Sequence, residues 1–478
     1  MSKKGVEFKR INFGLGSAES EKDEGAELLL NGYYTPSGLN SDIVDSSKFI
    51  ILGYKGCGKT AAAEHIRLTS QNDPNSFVEV VSLDDFPYSQ VGEIVPMDAG
   101  GSFADAWKML LLIRVFSSFW RDQGAVDMSP DPAQTMFLAL QDQNLLITPS
   151  FKELVLSAKS GGLKGVIGSV LTLSGEQTWR ASDHPIPFFT ERLMLAAKSI
   201  RSSSRHMLLI DGLDQVLSVD SPQLSALASL VNVVRAVNSQ MREHAVPFKI
   251  VVLCRTELWK RLPDPNKNKL KQAFARELIW YDDPRAPEQS ELIRLAQRRV
   301  EASLPDATDF IAYFFPSYIQ TRPTWMFLLD KTRHTPRDFL TLLRKIQDAS
   351  RGSEPSEASV LTGARNYSTE YFVDEIRDEL RGYIPDGQIE AVFDSLGQLQ
   401  GREFTTSSLK SILLEKSDWL SVEELLKVLY DCSAIGNVHY EEGKKTYYSY
   451  RYRNPNVTAN LKQPFQLHPG LWKALNLA

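Results

Sequence analysis

Phe49-Ile50-Ile51-Leu52-Gly53-Tyr54-Lys55-Gly56-Cys57-Gly58-Lys59-Thr60-Ala61 is the stretch on which the fold turns. Its first four residues form a continuous apolar run, as expected for a strand covered on both faces. Gly53 to Thr60 then satisfies G-x-x-x-x-G-K-[ST] at every defined position, and an alanine-rich helical segment, Thr60–Leu68, follows. The residue types suit phosphate. Gly53 and Gly58, helped by Gly56, let the backbone wrap an anion without Cβ clashes, and the bared N–H groups and helix N-terminus bind its oxygens. In such a loop Lys59 reaches the β- and γ-phosphates and the Thr60 hydroxyl ligates Mg²⁺. The alternative, an ordinary glycine turn before a helix, leaves the flanking strand and helix pattern unexplained. Gly53, Gly56, Cys57, Gly58, Lys59, Thr60 and Ala61 are therefore the expected contacts to a nucleoside triphosphate.

Outward from the loop, short apolar runs alternate with helical segments. Phe77–Leu83, Met207–Ile210 and Phe248–Leu253 read as further strands, and Ala104–Phe119, Asp131–Asp142, Ser150–Ser157, Pro187–Ile200 and Pro222–Val237 as helices. That alternation predicts a parallel sheet. Ser17–Leu30 reads as helix, Gly32–Asp45 as a turn-rich loop, and 104–201 as a helical insertion. From about Glu288 helices dominate, at Glu291–Val300, Trp325–Leu329 and Pro336–Ala349. Arg351–Arg365 is polar and the best linker candidate. Beyond it come helices at Phe372–Leu380, Ile389–Leu396, Thr406–Leu414 and Val422–Tyr430, then strand-like Asn437–Tyr440 and Thr446–Tyr452 around a charged turn. The expected fold is α/β: a P-loop NTPase parallel sheet with helices on both faces (1–287), a helical lid and linker (288–365), and a winged-helix-like α+β domain (366–478).

Composition narrows the function class. The 478 residues suit about three domains by length. A formal charge of −5 gives no global basic field to attract nucleic acid. Three dispersed cysteines and seven scattered histidines offer neither a disulfide framework nor metal-ligand spacing. The charged N-terminus lacks a secretory pattern, and no apolar run approaches the roughly 20 residues of a membrane span, so a cytoplasmic protein is expected.

A P-loop needs a metal-side carboxylate on a neighbouring strand. His206-Met207-Leu208-Leu209-Ile210-Asp211-Gly212-Leu213-Asp214 provides Asp211 for Mg²⁺ and Asp214 to orient the attacking water; the alternative is a surface Asp-Gly turn. The fourth strand ends in Cys254-Arg255-Thr256-Glu257, where Arg255 either senses the γ-phosphate or satisfies a loop carboxylate. Arg337, beside Pro336 at a helix start, either reaches nucleotide or pairs with Asp338. Cys57 lies in the loop, where the helix N-terminus and Lys59 favour a thiolate. Leu173-Ser174-Gly175-Glu176-Gln177 resembles the ABC ATPase signature, but it lies 34 residues before Asp211, too far for that family, and Gly212 replaces the family's glutamate.

FIILGYKGCGKTA, MLLIDGLD, the strand ending LCR and TPRDFLTLLRKIQ together resemble the STAND/KAP-like, AAA+-related branch of bacterial P-loop ATPases, a type found among phage-defence genes. The resemblance implies an ATP-driven oligomeric switch, with Lys59, Thr60 and Asp211 in the roles above, Arg255 as sensor 1 and Arg337 as sensor 2. It departs at Gln215, where many STAND proteins carry an acidic residue, which implies slow hydrolysis or reliance on Asp214 or a neighbouring subunit. No nuclease, protease or deaminase signature is present, so a separate effector protein is the expected partner. The competing expectation is a DNA-binding ATPase of origin-recognition type using Lys444, Lys445, Arg451 and Arg453. Residues 401–478 hold ten Lys/Arg against eight Asp/Glu, a weak excess for a groove-reading module.

Overall fold

The computed structural model describes residues 8–24, 26–36, 38–84, 86, 102–147, 150–159, 168, 185–213, 221–305, 309–413, 421–440 and 446–477. They fall into two compact units: Gly38–Lys55 with Ala62–Leu278, and Met1–Ser37 with Gly56–Ala61 and Ile279–Ala478.

The first unit is built on a five-stranded parallel sheet: β1 (Ile50–Gly53), β2 (Ser76–Ser82), β3 (Arg205–Asp211), β4 (Phe248–Arg255) and β5 (Ala275–Glu277), in the order β2-β3-β4-β1-β5. Successive strand residues face opposite sides. All four residues of β1 and seven of the eight in β4 are buried, so both faces of the central sheet are covered. β2 is an edge strand, and none of its residues is fully buried. The helix leaving the phosphate loop, α1, runs Lys59–Ser70. Three long helices supply the cover: α2 (Phe103–Trp120), α3 (Pro185–Ser199) and α4 (Ser221–Glu243). In α2 an unbroken buried run, Met109 to Phe119, marks a helix enclosed on every side. Ser102 and Asp105 form its capping box.

The fold is thus the expected P-loop α/β type, with local corrections. The expected loop Gly32–Asp45 ends in a helix, Leu39–Asp45, because Leu39 and Ile43, four apart, bury one face. β5 escaped the sequence reading, since Ala-Arg-Glu carries no strand signal and is fixed by pairing with Ile50–Leu52. Leu173–Gln177 lies outside the described residues.

In the second unit, α5 (Glu291–Ser303) is followed by a two-residue antiparallel pair, β6 (Tyr318–Ile319) with β7 (Arg322–Pro323), and then by α6 (Pro336–Ala349). α6 starts and stops where the sequence indicated, with Thr335 as N-cap and Pro336 in its first turn. The expected linker is corrected: Ser356 caps α7 (Glu357–Tyr367), whose Val360, Gly363, Ala364 and Tyr367 are buried. A Cβ at Gly363 would lie 2.6 Å from the Ile346 backbone, so the small residue lets α7 press against α6. α8 (Val373–Leu380) follows, then β8 (Glu403–Phe404), α9 (Thr406–Leu413) and α10 (Val422–Asp431). β9 (Ile435–His439), β10 (Tyr447–Ser449) and β11 (Phe465–Leu467) complete an antiparallel sheet in the order β10-β9-β11-β8. The helices-then-hairpin order is as expected. The two further strands, β8 and β11, are too short to signal themselves in the sequence.

One packing feature leads us to expect acid sensitivity in the first unit. His206, in β3, is buried, with Nε2 3.2 Å from Asp122 Oδ2 and Nδ1 2.9 Å from Ser118 Oγ, and it stacks on Phe77. Burial pushes its pKa down to about 4, against the opposing pull of Asp122. The unfolded chain then binds a proton near pH 6.5 that the folded one refuses, so stability present above that pH falls as the pH drops towards 4. Thermal melts across this range should show a falling midpoint, with a shallower slope in His206→Gln.

Candidate functional site

The C-terminal edge of the parallel sheet gathers the sequence-predicted residues of the first unit. Gly53 ends β1 and pairs in register with Arg255, the last residue of β4. Asp211 ends β3, in register with Ser82 of β2. Ligands of open α/β sheets bind at this edge. Asp211 is half-buried, and its Oδ1 accepts the Gly212 N–H at 2.9 Å. Gly212 has φ +74°, and a Cβ there would lie 2.8 Å from Asp84 Cγ, so glycine is required on both counts. Asp84 is a carboxylate that the sequence reading passed over, although Ser82-Leu83-Asp84 closes a strand as Ile210-Asp211 does. Asp214 and Gln215 lie outside the described residues. Arg255 is buried, with Nε 3.5 Å from Oε2 of Glu257, which lies in the first turn of the helix Thr256–Arg261.

Gly56 and Gly58 take φ of +77° and +93°, in the left-handed region that favours glycine. Lys59 is buried at the first residue of α1, and Thr60 next to it is half-buried. Cys57 is buried, which shields its thiol from reagents, and its carbonyl accepts Trp280 Nε1–H at 2.8 Å. That tryptophan, in Leu278-Ile279-Trp280, was not singled out from sequence; an apolar residue gives no sign that its one polar atom is needed. Ala61 continues the helix.

Arg337 meets the same loop. Its backbone N–H donates to the Gly56 carbonyl at 3.2 Å, and a Cβ on Gly56 would lie 3.0 Å from Arg337 Cβ. Arg337 is not paired with Asp338 as the alternative supposed. Asp338 is fully buried and turns inward, accepting Arg333 Nε and Nη2 at 2.9 Å each, the Arg333 backbone N–H at 3.1 Å and Tyr371 Oη–H at 3.0 Å. Arg333 also donates to Glu379 and lies 3.7 Å from Glu375. This fork of charge-assisted bonds holds Asp338 ionised: its pKa is lowered, although burial opposes that, by the Arg333 guanidinium. It fixes the first turn of α6 and hence the Arg337 main chain.

Two of the four basic residues proposed for DNA are corrected. Arg451 is buried, its Nε 3.4 Å from Asp431 Oδ1 and its Nη1 donating to the Val457 carbonyl. Arg453 lies over the rings of Tyr281, Tyr450 and Tyr452, with Asp330 at 3.9 Å. Both are engaged within the protein, Arg451 by Asp431 and the Val457 carbonyl and Arg453 by tyrosine rings and Asp330. Lys444 and Lys445 lie outside the described residues. No group of three or more metal-ligating side chains occurs among the described residues, and no described helix is long and apolar enough to cross a membrane.

Two solved structures match the chain. One is the Orc1 protein of Aeropyrum pernix in complex with DNA, 13% identical, covering 97% of this chain and 93% of that one, with a TM-score of 0.37. The other is Cdc6p from Pyrobaculum aerophilum, 11% identical, covering 95% and 98%, with a TM-score of 0.32. No curated protein matches the chain in sequence. A family model, the FunZ-associated C-terminal helical domain, matches residues 290–374, the span that holds α5, α6, α7 and the Arg333–Asp338 pair. Removing one partner of such a pair leaves a buried charge. Asp338→Ala should cost about 3–5 kcal/mol in urea denaturation of the unit that carries α6.

Proposed function

We propose that the chain is an ATPase that binds ATP with Mg²⁺ at Gly53–Thr60 and acts as a slow, nucleotide-dependent switch. One observation carries the reading: a loop of the full phosphate-binding pattern, with left-handed Gly56 and Gly58, joins a buried parallel strand to the start of a helix. A Cβ at Gly56 would lie 3.0 Å from Arg337 Cβ, so glycine there lets the start of α6 approach the loop backbone. The donor set also fits the metal: a hydroxyl at Thr60 and a carboxylate at Asp211 are the hard oxygen ligands that Mg²⁺ takes. Bound Mg²⁺ neutralises phosphate charge. Lys59 holds the β- and γ-phosphates, and Asp211 anchors the metal side. Arg255, on the same sheet edge as Asp211, and Arg337, on α6, are the proposed sensors of the γ-phosphate.

The contact between Gly56 and α6 supports a switch more than a simple hydrolase. A change in the loop on phosphate binding bears directly on the Arg337 backbone, and from there on the buried Arg333–Asp338–Tyr371 cluster. In the reading taken from the STAND-like resemblance, this signal passes through an oligomer to a separate effector in antiviral defence, with the C-terminal α+β region as a protein-docking winged helix. The DNA-binding alternative loses Arg451 and Arg453 and rests on Lys444 and Lys445 alone.

Purified protein should hydrolyse ATP in Mg²⁺, and Lys59→Ala and Asp211→Ala should each abolish turnover while the fold, followed by circular dichroism, persists. Turnover unchanged in both variants would refute the assignment. Duplex DNA affinity that falls steeply with salt would favour the DNA reading instead.

A further inference from the structure

The residue after the metal-side aspartate is Gly212, which has no side chain with which to activate water. The space that a side chain there would enter is already filled from the next strand. A Cβ built on Gly212 would lie 2.8 Å from both Asp84 Cγ and the Asp84 backbone nitrogen. Asp84 lies two residues beyond the end of β2, whose last residue, Ser82, is in register with Asp211, and the Leu83 N–H donates to the Asp211 carbonyl at 2.9 Å. The two carboxylates therefore leave the same edge of the sheet on adjacent strands.

Local bonds aim the Asp84 carboxylate. Ser82 Oγ–H donates to Asp84 Oδ2 at 2.6 Å, and the Asp84 N–H donates back to Ser82 Oγ at 3.1 Å. Its other oxygen takes no hydrogen bond among the described residues, and the side chain is exposed at the edge where a nucleotide would sit. Ser82 thus fixes one oxygen and leaves the second for a water.

We propose that Asp84 is the water-orienting carboxylate of the ATPase, supplied by β2 in place of the residue after Asp211; this rests on the ATPase reading above. In the step, the water oxygen bonds to the γ-phosphorus as the bond to the β,γ-bridging oxygen breaks. The electron pair leaves with ADP. The water proton passes to the open oxygen of Asp84 and then to the released phosphate. A Cβ at Gly212 would collide with Ser82 Oγ and lie 2.8 Å from Asp84 Cγ, so a larger residue there would disturb the Ser82–Asp84 pair.

The test compares Asp84→Asn, Asp84→Glu and Asp214→Asn with the unmodified full-length chain, measuring ATP turnover and the binding of a fluorescent ATP analogue in Mg²⁺. Asp84→Asn keeps the shape and the bond from Ser82 but removes the base. Its kcat should fall about 100-fold or more with KM and analogue affinity within about threefold, and Asp84→Glu should recover part of the rate. Retained analogue binding shows that the variant is folded. A kcat within twofold of the unmodified chain in Asp84→Asn, or a loss confined to Asp214→Asn, overturns the proposal and leaves the ATPase reading standing. An unmodified chain that binds the analogue but never turns ATP over overturns both. If Asp84→Asn loses analogue binding along with turnover, its role is structural and the proposal fails.

Discussion

Backbone amides can cradle a phosphate only where the chain turns into conformations that side chains oppose, and that constraint organises this protein. Between the buried strand β1 and the helix α1, Gly56 and Gly58 adopt positive φ, a conformation that glycine takes without strain. The strand must be rigid for the loop to be aimed. Its burial on both faces in the middle of a parallel sheet provides that, with β4 on one side and β5 on the other. The loop is also gripped from outside by hydrogen bonds to its own carbonyls: Arg337 N–H to Gly56 and Trp280 Nε1–H to Cys57.

The grip is held by buried charge. Placing an arginine and three carboxylates out of water is costly unless their geometry is satisfied, and Arg333 meets that condition through two-point pairing with Asp338 and a further bond to Glu379. An apolar cluster of the same size would hold α6 with little say in its rotation. The planar fork allows one orientation, and so the residue preceding Asp338, Arg337, presents its N–H to Gly56. Nearby, His334 stacks on Tyr452 with ring centroids 5.1 Å apart, joining the segment before α6 to the turn after β10. Gly56–Ala61, the start of α6 and the C-terminal sheet are in this way parts of one packed arrangement within the second unit.

Much of this was legible in the sequence where local chemistry decides the outcome. The glycine loop, the strand before it and the helix Pro336–Ala349 each carry their own signals: motif, apolar run, N-cap and periodicity. What was illegible depends on partners remote in sequence. β5 exists because Ile50–Leu52 leaves an edge to pair with, and Arg451 and Arg453 looked free because Asp431, Asp330 and the tyrosines that hold them cannot be located from spacing. Asp338 looked like a surface partner for its neighbour and is instead the buried end of a fork from Arg333. Asp84 drew no notice because a carboxylate after an edge strand is commonplace; only the missing side chain at Gly212 gives its position meaning.

The central claim is that the glycine loop binds ATP and that α6 feels it through the Gly56–Arg337 contact. Hydrogen–deuterium exchange of the full chain with and without ATP and Mg²⁺ tests this most directly. The account predicts slower exchange across residues 53–61 together with a change at Arg337 and Asp338, and none at β11. Identical exchange at both the loop and the start of α6 at saturating ATP would contradict it.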